Sequence, residues 1–151
     1  MEERIAIQDY PAGLLDGMRK TQDYIDHSGL DHVLLELVYM RVSQINSCAY
    51  CIDMHYKKGL HYGDTALRLL SVSAWREAPY YTEKEQAALE FAENLTHMAP
   101  ETRSHDIHLA LAQHFSKQEI AVLSLAVAQI NSWNRLMRSF GAVAGNFKVT
   151  T

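Results

Sequence analysis

Apolar residues recur along the chain at helical spacing, and strand signals with a period of two are lacking. Pro11 suits a first helical position, Leu14, Leu15, Met18, Ile25 and Leu30 supply intermittent apolar contacts, and Gly29 provides a stop. A second run from Asp31 to Ile45 places Leu34, Leu37, Val38 and Val42 on one face. Ser47 is placed to cap a third helix reaching Lys58, with Gly59 closing it and Lys57 and Lys58 near the negative end of its dipole.

Asp64 is the expected cap of a stretch running to Trp75, after which Pro79 marks a connection. Thr82 and Glu85 form a capping box, followed by Ala88, Leu89, Phe91, Ala92 and Leu95 at helical spacing and a stop at Pro100. Ser104 opens a run to Phe115, and Ser116 with Glu119 forms a second capping box at the head of a long apolar helix. The tail from Gly141 to Thr151 is expected to be a surface or interface segment. The fold class is therefore all-α. A gapless internal similarity, ending in Gln-Ile-Asn-Ser at both Ser47 and Ser132, makes a duplication of helical hairpins one reading and chance the other.

Length and composition narrow the function. A chain of 151 residues with 48% apolar and 21% charged side chains corresponds to one domain, residues 1–151, with a core that needs no staples. Fourteen basic against eighteen acidic residues, scattered along the chain, disfavour a nucleic-acid partner, which requires a cationic face. The longest apolar stretch, Ile120 to Ile130, falls short of the ~20 residues that span a bilayer. The start lacks the order of a secretory signal, so a cytoplasmic protein is expected, where thiols are kept reduced.

That expectation sharpens the meaning of Asn46-Ser-Cys-Ala-Tyr-Cys-Ile-Asp-Met-His55. It holds both cysteines of the chain. A cap at Ser47 puts Cys48 in the first helical turn, where unpaired N–H groups and the helix dipole stabilise a thiolate. The spacing brings Cys48 and Cys51 to one face, roughly 5 Å apart at Cα, within reach of a disulfide. His55 follows one turn after Cys51, as an imidazole able to exchange protons with a thiol near neutral pH. Two other readings stay open: a pair of buried small hydrophobes beside a surface histidine, and a zinc site that would lack a fourth ligand. No metal or other cofactor is expected. Glu36, on an otherwise apolar helix, comes back beside His55 if the chain reverses near Asn46, or else lies on a solvated outer face. His105 and His108 read as surface residues, and Trp133 beside Asn134 as packing or interface.

Glu36, then Cys48-x-x-Cys51-x-x-x-His55, resembles the signature of the alkylhydroperoxidase AhpD-like branch of the carboxymuconolactone decarboxylase superfamily. The helix order over roughly residues 10 to 140 is similar too. The resemblance implies an AhpD-like helical bundle, assembled as a homo-oligomeric trimer or hexamer, with thiol peroxidase activity. It implies that Cys51 attacks the hydroperoxide, that Cys48 resolves the sulfenic acid to a disulfide, and that His55 and Glu36 relay the proton. An external dithiol, such as one of lipoyl type, then completes the cycle. Helix position favours Cys48 as the more acidic thiol and His55 favours Cys51; the resemblance decides for Cys51. Tyr50 stands where the AhpD peroxidase has a histidine, and a phenol is a poor base near neutral pH. The alternatives are a carboxymuconolactone decarboxylase-like lyase and a non-catalytic redox-sensing oligomer.

Overall fold

A computed structural model describes residues 3–101 and 104–150 of the chain. Among these residues there are seven α-helices and no strand: α1 Asp16–Asp26, α2 His32–Ile45, α3 Ala49–His61, α4 Ala66–Ser71, α5 Glu83–His97, α6 Ser104–Leu111 and α7 Lys117–Phe140. Asp31 caps α2, its carboxylate accepting from the Val33 amide. Both capping boxes form, Thr82 with Glu85 ahead of α5 and Ser116 with Glu119 ahead of α7. Each satisfies two otherwise orphaned amide donors, so these starts are decided locally.

Helix α2 is the centre of the fold. It packs on α3, α5 and α7 at once, and the run from Leu34 to Met40 is buried without a break. The expected single apolar face is therefore too narrow, because α2 separates two cores. One joins Ile25 of α1, Leu35 and Val38 of α2, Phe91 of α5, and Leu123 and Val127 of α7. The other sets Leu37 and Met40 against Leu69, Val72, Trp75 and Leu89. A helix apolar all round belongs between layers rather than on a surface.

Several boundaries depart from expectation. Helix α1 begins at Asp16 rather than Pro11, since residues 12–15 form turns. Thr65, not Asp64, caps α4 by accepting from the Arg68 amide, while the Asp64 carboxylate takes the Arg68 guanidinium. Helix α6 stops at Leu111, short of Phe115. Gly59 does not close α3. It lies inside the helix, where a Cβ would sit 2.8 Å from a methyl of the buried Leu69, so its missing side chain lets α4 approach.

The two Gln-Ile-Asn-Ser segments meet in space. The Asn46 amide donates to Asn131 and to Asn134, and Asn134 donates to Ser43. This half-buried polar network pins the α2–α3 turn to α7. The tail lies along α3: Lys57 donates to the carbonyls of Gly145 and Phe147, and the Gly145 amide donates to Asp53. Thr151, the end of the expected tail, lies outside the described residues. No helix among the described residues is long and apolar enough to cross a membrane.

Candidate functional site

The turn between α2 and α3 determines where the cysteines stand. Ser47 adopts a left-handed conformation, φ 53°, and does not cap α3. Instead it ends α2: its amide donates to the Gln44 carbonyl and the Cys48 amide donates to the Ser43 carbonyl. These paired bonds are a Schellman motif, with serine where glycine is commoner. Cys48 thereby becomes the extended N-cap residue of α3, with no side-chain cap bond, and Cys51 falls at the third helical position. The first turn of α3, with its unpaired amides, thus ends on Cys51.

The two cysteines form a disulfide with Cα atoms 5.3 Å apart. Both are buried, at 1% exposure for Cys48 and 0% for Cys51. Cys51 lines a cavity of about 380 Å³ and Cys48 does not. His55, one turn along, lines the same cavity, so α3 brings Cys51 and His55 to one wall.

Glu36 returns beside His55 because the chain reverses near Asn46. His55 Nδ1 donates to Glu36 Oε2 at 2.6 Å, and both side chains are about nine-tenths or more buried. With the hydrogen on Nδ1, the lone pair of the neutral ring lies on Nε2. That Nε2 is buried and makes no hydrogen bond within the protein. The Tyr39 ring packs against His55 with centroids 5.0 Å apart. The solvated-glutamate and surface-histidine alternatives do not describe this arrangement.

Tyr39, its partner Gln22 and the apolar side chains of the cavity were not singled out in the sequence. Tyr39 lines it from α2, and its hydroxyl accepts from the Gln22 amide, which also donates to Asp26. A further wall is apolar, made by Met54, Ile130 and Met137 together with Trp133. Trp133 also packs against the larger core, as its reading as packing or interface expects, and borders the cavity besides. Tyr39 could have been found from its spacing, three residues after Glu36 and hence on the same helical face. The Gln22 and α7 contributions come from distant segments and have no local signal. Tyr50 also borders the cavity. Burial, together with the nearby charges of Asp53 and Glu3, pushes its phenol pKa up, so near neutral pH it is a hydrogen-bond donor and not a base.

The remaining candidates sit apart. His105 and His108 are exposed on α6, with His108 edge-on to Phe91. Among the described residues no group of three or more histidine, cysteine or acidic side chains is arranged to hold a metal.

Comparison with known proteins agrees with this architecture. Residues 12–94 match the model of the carboxymuconolactone decarboxylase family. An uncharacterized protein, YdfG of Bacillus subtilis, is 31% identical over 93% of this chain and 96% of its own length. A crystal structure from Agrobacterium tumefaciens, of a protein of unknown function proposed to be the antioxidant defence protein AhpD, superposes with a TM-score of 0.90. It is 33% identical, over 97% of this chain and 100% of that one. A peroxidase-related protein from Ralstonia eutropha, described as an alkylhydroperoxidase AhpD core, shares the fold at a TM-score of 0.74 and 21% identity, over 88% of this chain and 73% of that one. The chain belongs to the carboxymuconolactone decarboxylase family and has its AhpD-like all-α fold.

Proposed function

We propose that the protein is a thiol peroxidase that reduces hydroperoxides through a Cys51–Cys48 dithiol cycle. The observation that carries this reading is that His55, held by the buried Glu36, lines one cavity with Cys51 while Cys51 is bonded to Cys48. In the reduced protein, His55 takes the Cys51 proton at Nε2 while Glu36 holds the resulting imidazolium. The thiolate attacks the terminal peroxide oxygen, forming an S–O bond as the O–O bond breaks. The proton returns to the departing oxygen, releasing alcohol or water. Cys48 then attacks the sulfenic acid, expelling water and forming the disulfide.

An external dithiol restores both thiols by exchange and is itself oxidised. The burial of both sulfurs favours a slender reductant, such as a lipoyl-type arm, over a bulky thiol surface. Assembly as a trimer or hexamer is part of the same proposal. The outward-facing Leu67 and Leu70, three residues apart on α4, offer one apolar contact for it.

Peroxide consumption with a dithiol donor, measured for Cys51→Ser and Cys48→Ser, tests the reading. Both variants are expected to lose turnover, and Cys48→Ser to accumulate a sulfenic acid that a dimedone-type probe captures. Undiminished turnover in Cys51→Ser would reject the mechanism and leave a lyase-like activity as the better account. Disulfide formation with negligible turnover in the unaltered protein would indicate a redox sensor.

A further inference from the structure

Asn134 is fully buried on α7, and the thiol chemistry described above makes no use of it. Its amide is satisfied at both ends. The oxygen accepts from the Asn46 side chain at 2.9 Å, and the nitrogen donates to the Ser43 hydroxyl at 3.0 Å. Ser43, also fully buried, in turn offers its carbonyl to the Cys48 amide at 3.0 Å. The Asn46 carbonyl accepts from Arg138, and its side chain donates to Asn131 as well. One side chain of α7 therefore grips the end of α2 at two points, and one of those points carries Cys48 through the backbone.

That grip falls where the chain is least able to hold itself. Ser47 has φ 53°, a left-handed conformation that is costly for any residue with a Cβ and persists only where its surroundings over-determine it. Cys48 is extended, outside α3, and makes no side-chain cap bond. In the oxidised protein the Cys48–Cys51 bond closes this turn covalently, with Cα atoms 5.3 Å apart. Once the sulfurs part, Cys48 is held by two backbone bonds, its amide to Ser43 and its carbonyl from the Ile52 amide. The first of these is the one that Asn134 braces. A Ser47 turn free to leave the left-handed region would swing Cys48 away from Cys51, and each closure would have to bring it back.

We propose that Asn134 is a positioning residue for the dithiol: by holding Ser43 and Asn46 it keeps the Ser47 turn closed in the reduced protein, and so sets how strongly Cys48 and Cys51 favour the disulfide. That role involves only the sulfur pair and its turn, and holds whichever oxidant Cys51 meets. In exchange with a small disulfide, both protein thiols give up their protons and together an electron pair, an S–S bond forms between Cys48 and Cys51, and the small disulfide is cleaved to its thiols. Holding the two sulfurs near bonding geometry beforehand reduces the freedom lost on closure. The coupling is reciprocal, so the grip of Asn134 contributes more to the oxidised protein, which cannot relax when it is lost, than to the reduced protein, which can.

Redox titration tests this. The protein is equilibrated with graded ratios of reduced to oxidised glutathione, quenched in acid, and its free thiols are alkylated and counted by mass spectrometry. Asn134→Ala is expected to lower the equilibrium constant for disulfide formation about tenfold, making the midpoint potential less negative by about 30 mV. Asn46→Ala cuts the same tie from the turn side at a half-buried position, and should lower the constant about threefold or more. Either variant should lose more melting temperature in the oxidised than in the reduced protein. Ser116→Ala removes the cap at the far end of the same helix, and so destabilises α7 without touching the turn; its constant should stay within about twofold of the parent. Constants within about twofold of the parent for both asparagine variants, or a shift in Ser116→Ala as large as theirs, would overturn the proposal. So would an equal loss of melting temperature in the two redox states.

Discussion

Replacing Glu36 with Gln separates the charge of the relay from its geometry. The carboxylate oxygen accepts from His55 Nδ1 at 2.6 Å, and both side chains are only 6% exposed. A glutamine carbonyl can accept the same hydrogen, so the imidazole keeps its tautomer and orientation while the negative charge is lost. That charge matters when His55 holds the Cys51 proton. Two unit charges about 4 Å apart at an effective dielectric of about 20 attract by about 4 kcal/mol, equivalent to about a thousandfold in rate. General acid–base contributions of about a hundredfold to ten-thousandfold bracket that figure. Glu36→Gln should therefore lower the single-turnover rate of Cys51 oxidation by about two to three orders of magnitude while the fold is retained. Stopped-flow mixing of reduced protein with hydroperoxide gives the rate, and thermal unfolding monitors stability. A rate within about twofold of the unaltered protein would refute the reasoning, because a charge worth several kcal/mol cannot be removed silently.

Two further predictions concern the frame that holds the site. Gly59→Ala adds a Cβ 2.8 Å from a methyl of Leu69, which is fully buried and cannot swing aside. Overpacking of about 1–3 kcal/mol, set against about 1 kcal/mol gained in helix propensity, should lower stability by about 1 kcal/mol and the melting temperature by about 2–4 °C in calorimetry. Glu93 accepts from Arg41, Arg76 and the Trp75 indole. Desolvation opposes its charge, but the hydrogen bonds from Arg76, Trp75 and Arg41 prevail and hold the carboxyl below its ordinary range. Its stabilisation is thus present above the unfolded carboxyl pKa and is lost as pH falls through the lower folded value. Glu93→Gln should be less stable than the parent near pH 7, by about 2 kcal/mol once the exposure of Arg76 is discounted. Urea titrations at descending pH should show that gap closing, and a gap independent of pH would count against the network.

What could be read from the chain alone followed the range of each interaction. The boxes at Thr82 and Ser116 act within four residues, so their sequence is their structure. The Glu36–His55 pair spans nineteen positions yet was still legible, because Glu36 lies ten residues before Asn46 and His55 nine after it. One reversal there brings them level. The all-round burial of α2 was not legible, since it depends on α4, α5 and α7 arriving from opposite sides. Gly59 misled for the same reason. A glycine near a helical end reads as a stop, but its role is to admit Leu69, a residue ten positions on.

Ser47 misled differently, and its correction bears on the chemistry. A small polar residue between two helices suits either the end of the first or the cap of the second, and local sequence cannot rank them. Had Ser47 capped α3, Cys48 would have opened the helix and its terminal amides would have favoured that thiol, against the pull of His55 on Cys51. With the Schellman turn in place, Cys48 stands outside the helix proper while Cys51 closes its first turn. The helix terminus and the histidine no longer point to different sulfurs. Both now act where Cys51 meets the cavity, whereas Cys48 sits one turn back, bonded to it and away from that space. That asymmetry is what the proposed sequential cycle requires, in which Cys51 would meet the oxidant and Cys48 would displace its product.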